Sequence, residues 1–263
     1  LAGQTLASEP SGTVPNTAAP SVLSNWLCTK SSPSPFTLPS VSIGFQLPLA
    51  GAQGYEVSGV LWHPRLNKLF TVHDGNAALA GSVTMLNLDG TGAHNWVIGG
   101  DFEGVTVVDP NTNLIYLAKE QPNDSILEFD FVQGRVTKTW DLTDRSNCTS
   151  GCEVDGVPFP DPPSNVGIEG IAFVPDNGSS GGVFYLGLES DGRIYKVRAD
   201  LASTTGKYEY LGHAARLGPW DGAGGTRISD LAYDRVNNVL WALIGQQRLR
   251  VLRPDGTYLA EWP

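Results

Sequence analysis

From Val57 onward the chain is a succession of short apolar runs in which every second residue is apolar, broken by Gly, Pro, Asn and Asp. One pair of runs recurs. It reads VSGVLWHPRLNKLFTVHDG from Val57, GDFEGVTVVDPNTNLIYLAKE from Gly100, VGIEGIAFVPDNGSSGGVFYLGLES from Val166 and ISDLAYDRVNNVLWALIGQ from Ile228. Two further runs follow each copy: SVTML and HNWVI, SILEFDF and RVTKTWDL, RIYKVRA and KYEYLGH, RLRVLRP and TYLAEWP. Runs of four to eight residues rich in Val, Ile, Tyr, Phe and Trp, bounded by turn residues, are strands. No segment sustains a helical period. Four strands per repeat, recurring every 40–50 residues before insertions, predict the blade of a β-propeller. An irregular sandwich would explain the strands but not the self-similar repeats. The expected fold is therefore all-β, a small propeller of four-stranded blades, with four repeats visible and room for a fifth blade.

The pattern is absent before residue 40. Leu1 to Pro35 is rich in Ser, Thr, Pro and Ala and reads as an extended arm. We place that arm at 1–39 and one propeller domain at 40–263. SVSIGFQLPL, Ser40 to Leu49, reads as a strand that pairs with the last blade and closes the ring, removing two sheet edges. A second irregular stretch, Thr143 to Ser164, is an insertion carrying two cysteines and four prolines.

Composition narrows the function classes. The 263 residues suffice for a substantial core, and the 31 glycines and 18 prolines favour turns over helices. A net charge of −10 argues against nucleic acid or an anionic membrane surface as partner and suits a bound cation. No apolar stretch is long enough for a membrane span. Leu1 stands where an initiator methionine would be, and Asn123, Asn147 and Asn177 begin glycosylation sequons. Both point toward a secreted glycoprotein, expected to be a monomer. The three cysteines are Cys28, Cys148 and Cys152. No His sits near the Cys148/Cys152 pair, which speaks against zinc. Two disulfides remain open: Cys28 to the Cys148/Cys152 loop, or Cys148 to Cys152.

The repeated phrase also carries acids. In a propeller blade the first strand lines the channel and the second runs antiparallel beside it. The start of strand one and the end of strand two then share one rim. The starts carry Ser58, Glu103, Glu169 and Asp230, and the ends carry Asp74, Glu120, Glu189 and Gln246, with Glu56 two residues before Ser58. Clustered carboxylates repel one another and stay partly protonated unless a cation compensates them. Calcium accepts six to eight oxygen ligands in flexible geometry, so it is the expected cofactor, with Glu103, Glu169 and Asp230 as its ligands. An alternative is that each Glu-Gly merely anchors a neighbouring blade. His73, Asp74 and Glu120 are the candidate bases. Lys119, Glu189 and Arg227 are the candidates for holding substrate, although Lys119 and Arg227 also suit simple ion pairs. His63 sits in a turn on the opposite face. Trp62 and Trp241 lie within strands as core candidates, whereas Trp26, Trp96 and Trp220 are placed to stack on a ligand.

Three phrases taken together resemble a known family: Asp-x-Glu-Gly at Asp101, Asn-x-Gly-Ile-Glu-Gly-Ile-Ala from Asn165, and Ile-Ser-Asp-Leu-Ala-Tyr-Asp from Ile228. They are similar to the SdiA-regulated propellers, a family close to the esterase-like phytase propellers. The resemblance covers about Ser40 to Pro263. It implies a small propeller with a calcium site at the Glu-Gly acids, here Glu103 and Glu169. Members of that family carry one more Glu-Gly blade after the Ser-Asp-Leu blade, and this chain ends at Pro263 without it.

The leading expectation is a secreted, calcium-dependent hydrolase of an ester, lactone or phosphoester. The cation would polarise the substrate oxygen and bind the attacking water. The alternatives are an extracellular module that binds a small molecule or glycan at the channel mouth, and a polysaccharide lyase using Lys119, His73 and Arg227.

Overall fold

The computed structural model describes residues 57–74, 81–154, 157–160, 166–176, 181–216, 227–245 and 248–262. All lie in the second of two compact units into which the chain divides, Ser42–Pro263. The expected arm, the closing strand at 40–49, Glu56, Gln246, Cys28, Trp26 and Trp220 fall outside the described residues.

Four antiparallel sheets follow one another along the chain, each with its strands in sequence order. Blade 1 is β1 (Val57–His63), β2 (Lys68–His73), β3 (Ser82–Asn87) and β4 (His94–Val97). Blade 2 is β5 (Phe102–Thr106), β6 (Leu114–Lys119), β7 (Ser125–Asp130) and β8 (Arg135–Asp141). The insertion supplies a short turn of 3-10 helix (Arg145–Asn147), β9 (Cys148–Ser150), β10 (Glu153–Val154) and β11 (Val157–Pro158). Blade 3 is β12 (Ile168–Val174), β13 (Val183–Leu188), β14 (Arg193–Ala199) and β15 (Tyr208–Arg216). Blade 4 is β16 (Ile228–Asp234), β17 (Val239–Ile244), β18 (Arg248–Leu252) and β19 (Tyr258–Trp262). The fold is the all-β propeller that the repeats predict. No helix among the described residues is long and apolar enough to cross a membrane.

Strand alternation explains how the blades stack. Successive side chains point to opposite faces, so a central blade must be apolar on both. Ile115 and Leu117 of β6 join the core shared with blade 1, around Phe70, Val72 and Phe129. Tyr116 and Ala118 of the same strand join the core shared with blade 3, around Trp140, Phe173 and Phe184. In β13, Phe184 and Leu186 face blade 2, whereas Tyr185 joins Leu240, Ala242 and Ile244 of blade 4.

Near the axis the inner strands touch through glycine. A Cβ on Gly59 would stand 2.9 Å from the Cα of Gly104 in blade 2. One on Gly104 would stand 2.9 Å from Ile171 N in blade 3, and one on Gly170 2.6 Å from Leu231 N in blade 4. Arginines tie the opposite face. Arg65, in the β1–β2 turn, donates to the carbonyls of Pro110 and Thr112 at 2.7 and 2.8 Å. Arg235, in the β16–β17 turn, donates to those of Val107 and Val108 at 2.8 Å each. These turns therefore fasten blades 1 and 4 to blade 2.

The insertion adds β9 as a parallel fifth strand on the outer edge of blade 3, against β15. Cys148 pairs with Cys152, which decides between the two disulfides left open by the sequence. Thr149 Oγ1 donates to Tyr208 O at 3.0 Å and Ser150 Oγ to Glu209 Oε1 at 2.8 Å, so the short loop covers an otherwise open edge. Replacing both cysteines by serine is expected to cost about 2 kcal/mol, the loop-closure value for so small a ring. Urea unfolding measures that cost. Hydrogen exchange at Tyr208 to Tyr210 should quicken with it, and unchanged exchange there would show that β9 is held without the bridge.

Candidate functional site

Every blade opens with the same irregularity. The pairing of strand one with strand two skips a residue between Val57 and Gly59, Phe102 and Gly104, Ile168 and Gly170, and Ile228 and Asp230. A β-bulge of this kind leaves the extra residue unpaired and re-aims its side chain. The bulged residues are Ser58, Glu103, Glu169 and Ser229. The register thus puts Ser229, not Asp230, in the place of the two glutamates. Asp230 takes the place of the inner-strand glycines. Its carboxylate turns back to accept from Leu231 N at 2.7 Å.

The ends of strand two are likewise equivalent: Asp74, Glu120, Glu189 and Gly245. Each of the last three donates its backbone N–H to the carbonyl of the residue just before the inner strand of its own blade. Glu120 N bonds Asp101 O at 2.8 Å, Glu189 N bonds Gly167 O at 2.9 Å, and Gly245 N bonds Arg227 O at 2.8 Å. Asp101, Gly167 and Arg227 are therefore one position in three blades.

These two positions meet across the blade junctions, with a different outcome at each. At the first junction Asp74 meets Asp101, and Glu103 closes the group; ligand oxygens of all three lie within 4.8 Å of one another. At the second, Glu120 Oε1 accepts the N–H of Gly167, and neighbouring Asp124 Oδ1 accepts that of Ile168 at 3.0 Å. Gly167 is needed there, because a Cβ would stand 2.4 Å from Asp124 Oδ1 and 2.8 Å from Glu120 Cγ. At the third, Glu189 forms an ion pair with Arg227.

Burial and mutual repulsion raise the pKa of Asp101, Glu103 and Glu169. Asp101 is 7% exposed. Its pKa is pushed up to about 9 by burial first, then by a hydrogen bond and the charge of Asp74, with Glu103 adding to it. Glu103 rises to about 8 through burial and the charge of Glu169, although hydrogen bonds from Asp101 and Ser58 oppose the rise. Glu169 also rises to about 8, from burial and then the charges of Glu189, Glu120 and Asp101, with Arg227 pulling the other way. The charge of Glu169 thus reaches Glu103 in the neighbouring blade. Asp230 is raised to about 7 by burial, with no other acid contributing. Its separation from the acid group follows from its place in the glycine register.

The other candidates lie as follows. The His73 ring is buried within blade 1, and its Nε2 lies 3.0 Å from both Thr71 Oγ1 and Thr84 Oγ1. It is one residue from Asp74 in sequence but on the opposite side of the strand. Glu120 is buried at the second junction and bonded as described. Lys119 lies against Gly100, and burial lowers its pKa. Glu189 and Arg227 share their ion pair. Trp62 is half exposed and Trp96 packs on Phe129 and His94, the reverse of their expected places.

Sequence reasoning missed Asp101. Gln121 Nε2 bridges it to Glu120, donating to Asp101 Oδ2 at 3.0 Å and to Glu120 Oε2 at 3.3 Å. The second oxygen of Asp101, Oδ1, is buried with no hydrogen-bond partner. An orphaned carboxylate oxygen beside two more carboxylates is a donor set that fits a hard divalent cation. Asp74, Asp101 and Glu103 would be its protein ligands.

A family model described as phytase-like, esterase-like activity of phytase, matches residues 61–243. No curated protein matches the chain. Among solved structures, it is similar to a structural-genomics protein of unknown function from Bacteroides thetaiotaomicron, with 12% identity and a TM-score of 0.47. That likeness covers 77% of this chain and 42% of the other, so the chain spans less than half the length of its structural relative.

Proposed function

The chain belongs to the phytase-like family, whose model spans more than half of its length, and from that premise we propose that it is a metal-dependent hydrolase of an ester, lactone or phosphoester. The observation that carries this reading is the buried, partnerless Oδ1 of Asp101 set among the carboxylates of Asp74 and Glu103. Calcium suits this all-oxygen donor set, and when bound it would polarise the substrate oxygen and lower the pKa of water. The chain's own groups do the rest. Glu169 keeps its proton near neutral pH because it is buried among acids, so it can protonate a leaving oxygen at the channel mouth. The Arg227 guanidinium, partly exposed beside Glu189, orients an anionic group of the substrate. The His73 ring is walled off by Thr71 and Thr84, so the general base falls to a carboxylate rather than to the imidazole. The Cys148–Cys152 bridge supports residence in an oxidising, extracellular compartment.

The test is hydrolysis of p-nitrophenyl acetate, p-nitrophenyl phosphate and a simple lactone, with calcium and with chelator. Turnover of at least one is expected to fall about 100-fold or more on chelation and in Glu169→Gln, the scale of a lost general acid. Hydrolysis that survives both would reject the reading. Calcium binding without any hydrolysis would favour a ligand-binding propeller.

A further inference from the structure

The three blade junctions solve one electrostatic problem in three ways. An acid at the end of strand two of one blade meets the residue just before the inner strand of the next blade. Gly167 offers a backbone N–H, Arg227 offers a guanidinium, and Asp101 offers only another carboxylate. A junction with a donor or a cation of its own is complete. Among the described residues the first junction has no cation, and the Gln121 amide that reaches Asp101 Oδ2 leaves the other oxygen unmet. Its buried Asp101 Oδ1 is unpartnered, and Glu103 brings a third acid where the third junction has Ser229.

We propose that the chain binds a single divalent cation, at the junction of blades 1 and 2 between Asp74, Asp101 and Glu103, and that the guanidinium of Arg227 takes the equivalent cation position at the junction of blades 3 and 4. This rests on the metal-dependent reading above and adds to it a stoichiometry and the equivalence of Arg227 with a bound cation. Three carboxylates supply three to six oxygens, and water completes the six to eight that calcium takes. The position of Arg227 follows from the register: Gly245 N bonds Arg227 O as Glu120 N bonds Asp101 O. Glu103 and Glu169, which the family resemblance pairs as calcium ligands, then divide their roles. Glu103 belongs to the cation, and Glu169 stays outside it.

The experiment is titration calorimetry with calcium chloride alone, on the whole chain and on two exchange variants. Wild type is expected to bind one calcium. Asp101→Arg gives the first junction the guanidinium of the third, and should weaken binding by at least 100-fold and make the melting temperature indifferent to chelator. Arg227→Asp with Ser229→Glu turns the third junction into a copy of the first, and should raise the stoichiometry from one to two. Circular dichroism verifies that each variant is folded. A folded Asp101→Arg that still binds one calcium at wild-type affinity would overturn the location while leaving metal-dependent hydrolysis standing. A wild type that binds none would remove both. If Asp101→Arg does not fold, the double exchange decides: two calcium ions uphold the equivalence of the junctions, and one overturns it.

Discussion

Gly170→Ala is expected to lower the melting temperature by roughly 2–12 °C, or to prevent folding. The new methyl would meet Leu231 N at 2.6 Å, Asp230 C at 2.7 Å and Asp230 Cα at 2.8 Å. All three are backbone atoms of the adjacent inner strand, so no rotamer can yield. Relief requires blades 3 and 4 to separate, opening the core built on Tyr185, Leu240 and Ile244. Overpacking of this kind costs about 1–3 kcal/mol or more, and each kcal/mol is worth about 2–4 °C in a domain of this size. Gly104→Ala should follow, with its closest approach at 2.9 Å to Ile171 N. Asp230→Gly, at the same register position in blade 4, should keep the fold, because that position already carries a side chain. Calorimetric scans of the three variants check the order. An unchanged transition in Gly170→Ala would mean that the blades do not stack through their inner-strand glycines.

The glycine register also shows what sequence alone could and could not reveal. Blade architecture was legible because strand period and turn residues repeat four times. The acids of the first three blades were legible for the same reason: Glu103 and Glu169 precede a glycine, and Asp74, Glu120 and Glu189 end an apolar strand. Blade 4 has no such glycine. Aligning Ile228–Ser229–Asp230–Leu231 by its acid placed Asp230 with Glu103, whereas pairing puts Ser229 there. A one-residue shift in a strand moves a side chain to the other face, and nothing in the letters marks where a bulge absorbs it. Asp101 was missed as a ligand because only the residue before each glycine was counted as the start of strand one. The signal was present, since Asp101 and Glu103 are two residues apart at the edge of one strand, but blade 3 has glycine and blade 4 arginine at that position. Neither substitution looks like an acid site, although both answer the same charge. His73 shows the opposite error. Its neighbour in sequence is a site residue, yet alternation sends the ring toward Thr71 and Thr84.

Without a divalent cation, the chain is expected to lose stability as pH rises from about 5 to 9, and millimolar calcium is expected to reverse that trend. Asp101, Glu103 and Glu169 have folded-state pKa values of about 9, 8 and 8. In the unfolded chain the same groups titrate near 4. Between those limits the folded state holds more protons than the unfolded state, so the free energy of unfolding falls with rising pH. The contribution is whole below about pH 4 and is lost as pH climbs through about 8 to 9. The groups interact, so their effects do not add fully, and a drop of roughly 5–10 °C in melting temperature from pH 6 to pH 9 is the expected scale. Calcium inverts the sign for the acids that it contacts. It binds carboxylates rather than carboxylic acids, so its stabilisation grows as pH rises, reaching about 2.7 kcal/mol at a hundredfold excess over its dissociation constant. Melting curves from pH 5 to 9 with chelator, and again with calcium, should therefore diverge toward alkaline pH. Asp101→Asn removes one of the coupled acids and should flatten the chelator curve. Parallel curves with and without calcium would mean that the channel-mouth acids share protons but hold no cation.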